Sequence, residues 1–189
     1  MADYTIPVIQ NVSANLKQAR QSRQWSQEKL AANAGVSRRM LVNIEAGESN
    51  VSIATLDKLA AALGLTFAQL VRPPASATSL GTPLKVWQGA QPDSHGTLLE
   101  SLLQHGVAVE LWVWQLAPQD SYHAEADAPG SHELVYVMEG ELTLTLRGTS
   151  HTLRPGQSFS FASDAEYHYR NLGDRLLRFT KNMVMTGPY

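Results

Sequence analysis

The sequence predicts an α+β protein in two domains: a five-helix bundle followed by an all-β barrel of jelly-roll type. Three observations carry this. Residues 9–71 hold helical spacing throughout, with Ser or Gly at the breaks. The run Arg72-Pro73-Pro74-Ala75-Ser76-Ala77-Thr78-Ser79 then reads as a linker, through its prolines and small polar residues. Beyond it the apolar period changes from helical to alternating, and turn residues recur about every 8–12 positions. The expected boundaries are residues 1–71 for the helical domain, 72–83 for the linker and 84–189 for the β domain.

Each helix has a local cause. Residues 15–23 are rich in Leu, Lys, Gln, Ala and Arg, all good helix formers. Ser26 is placed to cap the helix QEKLAANA, which Gly35 ends. Ser37 caps RRMLVNIEA, closed by Gly47. Ile53, Leu56, Leu59, Ala60 and Leu63 form one apolar stripe, stopped by Gly64. A short helix around Thr66–Leu70 makes the fifth. In the second half, Val107–Leu116 and Leu142–Leu146 read as strands. Turns fall at Ala128-Pro129-Gly130, Glu139-Gly140, Arg147-Gly148, Pro155-Gly156 and Asn171-Leu172-Gly173.

Composition narrows the function classes. At 43 % hydrophobic and 17 % charged, the chain is too apolar for a disordered one. No stretch reaches the ~18 apolar residues of a membrane span, and the first residues lack the order of a secretory signal. The absence of cysteine rules out disulfides and thiolate metal sites and fits a reducing cytoplasm, the expected location. Residues 1–72 carry eight Lys/Arg against five Asp/Glu, and the remainder seven against twelve. A basic head on an acidic body suits a DNA reader joined to something that is not one.

Residues 26–47, SQEKLAANAGVSRRMLVNIEAG, have the order cap, helix, Gly, cap, helix that sets two helices at a steep angle. This segment closely resembles the phage-repressor-like, xenobiotic-response-element family of helix-turn-helix proteins over about residues 10–71. The matching positions are Ser26-Gln27, Leu30-Ala31, Ala34-Gly35-Val36-Ser37 and Ile44-Glu45-Ala46-Gly47. The resemblance implies that the helix opening at Ser37 enters the DNA major groove. Arg38 and Arg39 would then reach guanine edges or phosphates, and Asn43 an adenine. Gln27, helped by Lys29, would anchor a phosphate, while Arg20 and Glu45 would form a structural ion pair. Trp25, Leu30, Val36, Met40, Leu41 and Ile44 are expected in the core.

The second half resembles the cupins, which fold as a double-stranded β-helix, over about residues 107–184. The first motif is AEADAPGSHELVYVMEGELTL, with Glu133 and the turn glycine Gly140. The second is RPGQSFSFASDAEYHYRN, with Pro155-Gly156, His168 and Asn171. A metal-binding cupin supplies two histidines, a Glu and a later His. Here the two histidine positions fall on Asp127 and Pro129, leaving Asp127, Glu133 and His168 as the ligands any weakly held divalent metal would have. No cofactor is therefore expected. His123 lies four residues before Asp127 on one face of a regular strand, whereas His132 faces away from Glu133.

Repressor-like heads fused to cupins form a family of bacterial regulators, which implies a homodimer that binds a double-stranded operator and senses a small molecule. The expected effector carries an amine, since Asp127 and Glu133 directed into one cavity need a cation. Its other contacts would be His168, with Tyr122, Tyr136 and Tyr167 as walls. Two alternatives stand beside this non-enzymatic reading. One is a mononuclear-metal cupin enzyme; the other is a DNA-binding protein with a purely dimerising barrel.

Overall fold

The computed structural model describes residues 5–48, 51–73, 83–104 and 106–186. Most of the expected linker, residues 74–82, lies outside the described residues. The chain divides into two compact units, helices in the first and strands in the second.

The helical unit contains α1 (Thr5–Ser22), α2 (Gln27–Ala34), α3 (Arg38–Ala46), α4 (Ile53–Ala62) and α5 (Phe67–Val71). Four of them start on a side-chain cap. The hydroxyls of Ser26, Ser37, Ser52 and Thr66 accept from the backbone N–H of Lys29, Met40, Thr55 and Gln69. Each satisfies a donor that the first helical turn would otherwise leave open. Gly35 and Gly47 end α2 and α3 in the left-handed conformation, at φ 65° and 73°. Leu16, Leu30, Leu41, Leu59, Leu63 and Phe67 fill the core. Asn15 of α1 donates to the carbonyls of Leu70 and Arg72, tying the two ends of the unit together. No described helix is long and apolar enough to cross a membrane.

The β unit has ten strands: β1 (Leu84–Gln88), β2 (His95–Gln104), β3 (Val107–Leu116), β4 (Ser121–Ala124), β5 (His132–Glu139), β6 (Leu142–Leu146), β7 (Thr149–Leu153), β8 (Ser158–Ala162), β9 (Tyr167–Arg170) and β10 (Leu177–Thr186). They form a six-stranded sheet in the order β1-β2-β3-β10-β5-β8 and a four-stranded sheet in the order β4-β9-β6-β7. Burial alternates along β3, β9 and β10 and along β5 up to Val137, as period-two side chains between two sheets require. The inner faces carry Trp112 and Trp114 from β3, Val135 and Val137 from β5, Tyr167 and Tyr169 from β9, and Phe179 and Met183 from β10. The expected two-sheet jelly roll is thus present. The β5–β6 turn depends on Gly140, at φ 75°, where a Cβ would fall 2.6 Å from the Leu176 carbonyl oxygen.

Candidate functional site

Two places carry chemistry, one in each unit. In the helical unit, α3 is held by an ion pair at its C-terminal end. Arg20 Nε and Nη2 donate to the two oxygens of Glu45 at 2.6 and 2.9 Å, and Arg20 Nη1 donates to the Trp25 carbonyl at 2.8 Å. Such a two-pronged pair fixes angle as well as distance. Burial raises the Glu45 pKa, but hydrogen bonds from Arg20 and Gln27 outweigh it and hold the carboxyl below its usual range. The expected Arg20–Glu45 pair therefore forms.

What α3 presents to solvent is Arg38, Arg39, Met40 and Val42, with Asn43 half-buried beside them. Leu41 and Ile44 face the core, as expected, while Trp25 and Val36 are half-buried. Met40 departs from its expected core position and is 42 % exposed. On the helix it lies between the exposed Arg39 and the buried Ile44, at the edge of the core-facing stripe. Gln27 donates to Glu45 Oε2 at 2.9 Å, so its amide braces the ion pair. Lys29 is exposed, with its ammonium 5.0 Å from the Trp25 ring centroid, and Ser37 is engaged as the cap of α3.

In the β unit the focus is Glu133, which is 0 % exposed on the inner face of β5. Three donors meet its carboxylate. Tyr167 donates to Oε1 at 2.6 Å, Tyr169 to Oε2, and Lys181 Nζ to Oε1 at 2.7 Å. The two tyrosines come from β9 across the interior, and the lysine from β10 beside β5. The Lys181 ammonium also lies 5.4 Å from the ring centroids of both Trp112 and Trp114, within cation–π range. Burial lowers the Lys181 pKa, but the Glu133 charge more than reverses this, so the amine stays protonated. Tyr122, inward on β4, packs 4.4 Å from Trp114 between centroids, and burial pushes its phenol up to about 12. Burial and the Glu133 charge push Tyr167 and Tyr169 well above the usual phenol range, so all three stay neutral donors.

Asp127 is buried, its backbone N–H held by the Ser163 carbonyl at 2.9 Å, and its charge is felt at Tyr122, Tyr167, Tyr169 and Lys181. A further buried carboxylate, Glu110 on the inner face of β3, accepts from Trp112 Nε1 at 3.0 Å.

Of the expected effector contacts, Asp127, Glu133, Tyr122 and Tyr167 belong to this interior, and two do not. Tyr136 is 46 % exposed, three positions from Glu133 and therefore on the outer face of β5. His168 alternates with the inward Tyr167 and Tyr169 and lies on the outer face of β9, its ring centroid 4.0 Å from that of His123. Asp127, Glu133 and His168 accordingly do not form one ligand set. Among the described residues, no three His, Asp or Glu side chains are grouped to hold a metal ion. For Glu133 the neutralising cation is the chain's own Lys181.

Comparison with known proteins places both units. Residues 16–70 match the helix-turn-helix family model and residues 112–184 the cupin domain model. The chain is 34 % identical over 170 residues to the HTH-type transcriptional regulator SutR of Escherichia coli (strain K12), covering 89 % of this chain and 91 % of that one. The chain belongs to the HTH-type transcriptional regulators that carry a cupin domain. Over their full lengths, this regulator also matches the crystal structure of an HTH_3 family transcriptional regulator from Vibrio cholerae, at 26 % identity and a TM-score of 0.68. The helix-turn-helix alone matches a hypothetical transcription factor of Neisseria meningitidis, 35 % identical over 68 residues, 36 % of this chain and 64 % of that protein.

Proposed function

We propose that this regulator binds a two-fold symmetric operator as a homodimer in the cytoplasm, and that its cupin unit adjusts that binding in response to a small molecule. The DNA-reading half rests on α3. Two arginines, a methionine and a valine stand exposed on a helix whose angle is fixed by the Arg20–Glu45 pair. Arginine reads guanine through two acceptors at once, and an exposed Met or Val suits the thymine methyl. An exposed apolar pair on an otherwise polar surface is well placed for such contacts.

The single observation that carries the sensing half is the charge held in the β interior. Glu110, Asp127 and Glu133 are buried there with Lys181, the one buried basic side chain among the described residues. Three carboxylates buried in one interior favour a cationic visitor over an anionic one, so the proposed effector is an amine-bearing metabolite. Its partner changes, however. Glu133 is already met by three donors; Asp127, buried in the same interior and electrostatically coupled to Tyr122, is the carboxylate proposed to meet an arriving ammonium. The enzymatic alternative would need two imidazoles and a carboxylate around one metal. The interior offers phenols in place of imidazoles, which favours a sensor.

Calorimetry with a panel of amino acids and small amines tests the effector. Amine-bearing compounds should bind wild type, lose binding at least tenfold in Asp127→Asn, and change operator affinity. Selective binding of neutral or anionic compounds, undisturbed by Asp127→Asn, would overturn the amine reading. Binding that left operator affinity unchanged would overturn the sensing reading.

A further inference from the structure

Lys181 lies in the run Leu177, Phe179, Lys181, Met183, Met185, whose members are all buried on one face of β10. Strand alternation therefore forces a four-carbon ammonium side chain into the apolar interior, where it is 1 % exposed. An isolated ammonium there would lose its proton. This one is held by Glu133 at 2.7 Å and faces two indole rings at 5.4 Å each. Tyr167 and Tyr169 complete the carboxylate from the opposite sheet. The result is a closed box: one carboxylate, two indoles and two phenols around a single positive charge.

We propose that Lys181 is the resident cation of the cupin interior, and that its ammonium keeps divalent metal ions off Glu133. A metal bonded to a carboxylate oxygen sits ~2.0–2.2 Å from it. The ammonium already stands 2.7 Å from Oε1. Both cannot share that oxygen without two positive charges meeting in a medium that screens them poorly. Remove the ammonium, and Glu133 with the two phenol oxygens on it becomes a set of hard oxygen donors without its cation. Such a set suits ions like Mn²⁺. The proposal goes beyond effector sensing and does not depend on it.

The test uses full-length protein stripped with chelator: wild type, Lys181→Arg, Lys181→Met, and the double variant Glu133→Gln/Lys181→Met. Each is titrated with Mn²⁺, Ni²⁺ or Zn²⁺ alone, following thermal midpoint, heat and metal content after desalting. Wild type and Lys181→Arg should show no saturable site. Lys181→Met should gain one, at least tenfold tighter than wild type, and the double variant should lose that gain. A full equivalent bound by wild type and abolished by Glu133→Gln would overturn the proposal, as would a folded Lys181→Met that ignores metal. Where Lys181→Met folds only with metal added, the proposal is supported. A double variant that fails to fold, with or without metal, would overturn the proposal, because the stem is retained in Met and the loss would show that the charge pair serves the fold itself. Operator binding measured on the same samples reports separately on the regulatory reading.

Discussion

Glu133 and Lys181 hold each other in place, and neither tolerates the loss of the other. Breaking a buried pair by removing one partner leaves a charge with no compensation, at a typical cost of about 3–5 kcal/mol. Glu133→Gln should therefore lower the unfolding free energy of the protein by that order in urea, while the double variant with Lys181→Met should recover part of the loss. Equal and additive losses would mean the two side chains are not coupled. On α3, Arg38→Ala and Arg39→Ala should leave stability unchanged. Each should erode discrimination at one operator position by about 1–3 kcal/mol, read from binding to single-base operator variants. Uniform weakening across sequences would assign that arginine to phosphate. Lys181 is absent from the reading of the sequence, although Leu177, Phe179, Met183 and Met185 mark the inward face and 181 shares their parity. His168 faces outward by the same alternation. One step of register moves a strand side chain to the other face, and its neighbours Tyr167 and Tyr169 are the inward pair. Tyr136 lies outward by the same parity relative to Glu133.

Helices were easier to place than strands. Their ends are set by local groups: Ser26, Ser37 and Thr66 as caps, Gly35 and Gly47 as stops. Strands Val107–Leu116 and Leu142–Leu146 also matched, but short pieces such as β4 and β9 are four residues each and exist through partners far along the chain. Pairings such as His123 with His168 have no local signal. Ser37→Ala removes the cap that holds the first turn of α3, and should cost about 1 kcal/mol of stability and a larger factor in operator binding. The ionisable groups fix the pH response of each unit. The depressed Glu45 carboxyl stabilises the folded helical unit above the ordinary carboxylate pKa, and that contribution is lost as pH falls through its lower folded value. Glu45→Gln should flatten the acid limb of the stability profile. The phenols act oppositely. Their contribution is complete below pH ~10 and lost as pH rises through the folded value of about 12 for Tyr122. The tyrosinate absorbance contributed by Tyr122, Tyr167 and Tyr169, read as the difference from a triple Phe variant, should rise only with unfolding; full ionisation of these phenols in a still-folded protein would contradict their burial.

At the scale of the whole molecule, a single helix-turn-helix touches too little DNA for strong selection, which is the physical ground for a pair. Two heads related by a two-fold axis should select half-sites about 34–36 Å apart, one turn of DNA, or a multiple. Sedimentation should then give twice the 20.7 kDa chain mass at micromolar concentration. A persistent monomer, with and without operator, would remove the expected symmetry. The acidic β unit adds nothing to phosphate attraction, so salt dependence should follow the number of helical-unit contacts alone. The most direct measurement is selection of binding sites from a random DNA pool by the full-length protein, beside the Arg38→Ala/Arg39→Ala double variant. Wild type should enrich an inverted repeat with guanine in each half-site, and the folded double variant should enrich none. Enrichment of the same repeat by both proteins, or of nothing by wild type, would contradict the assignment of α3 as the element that reads DNA.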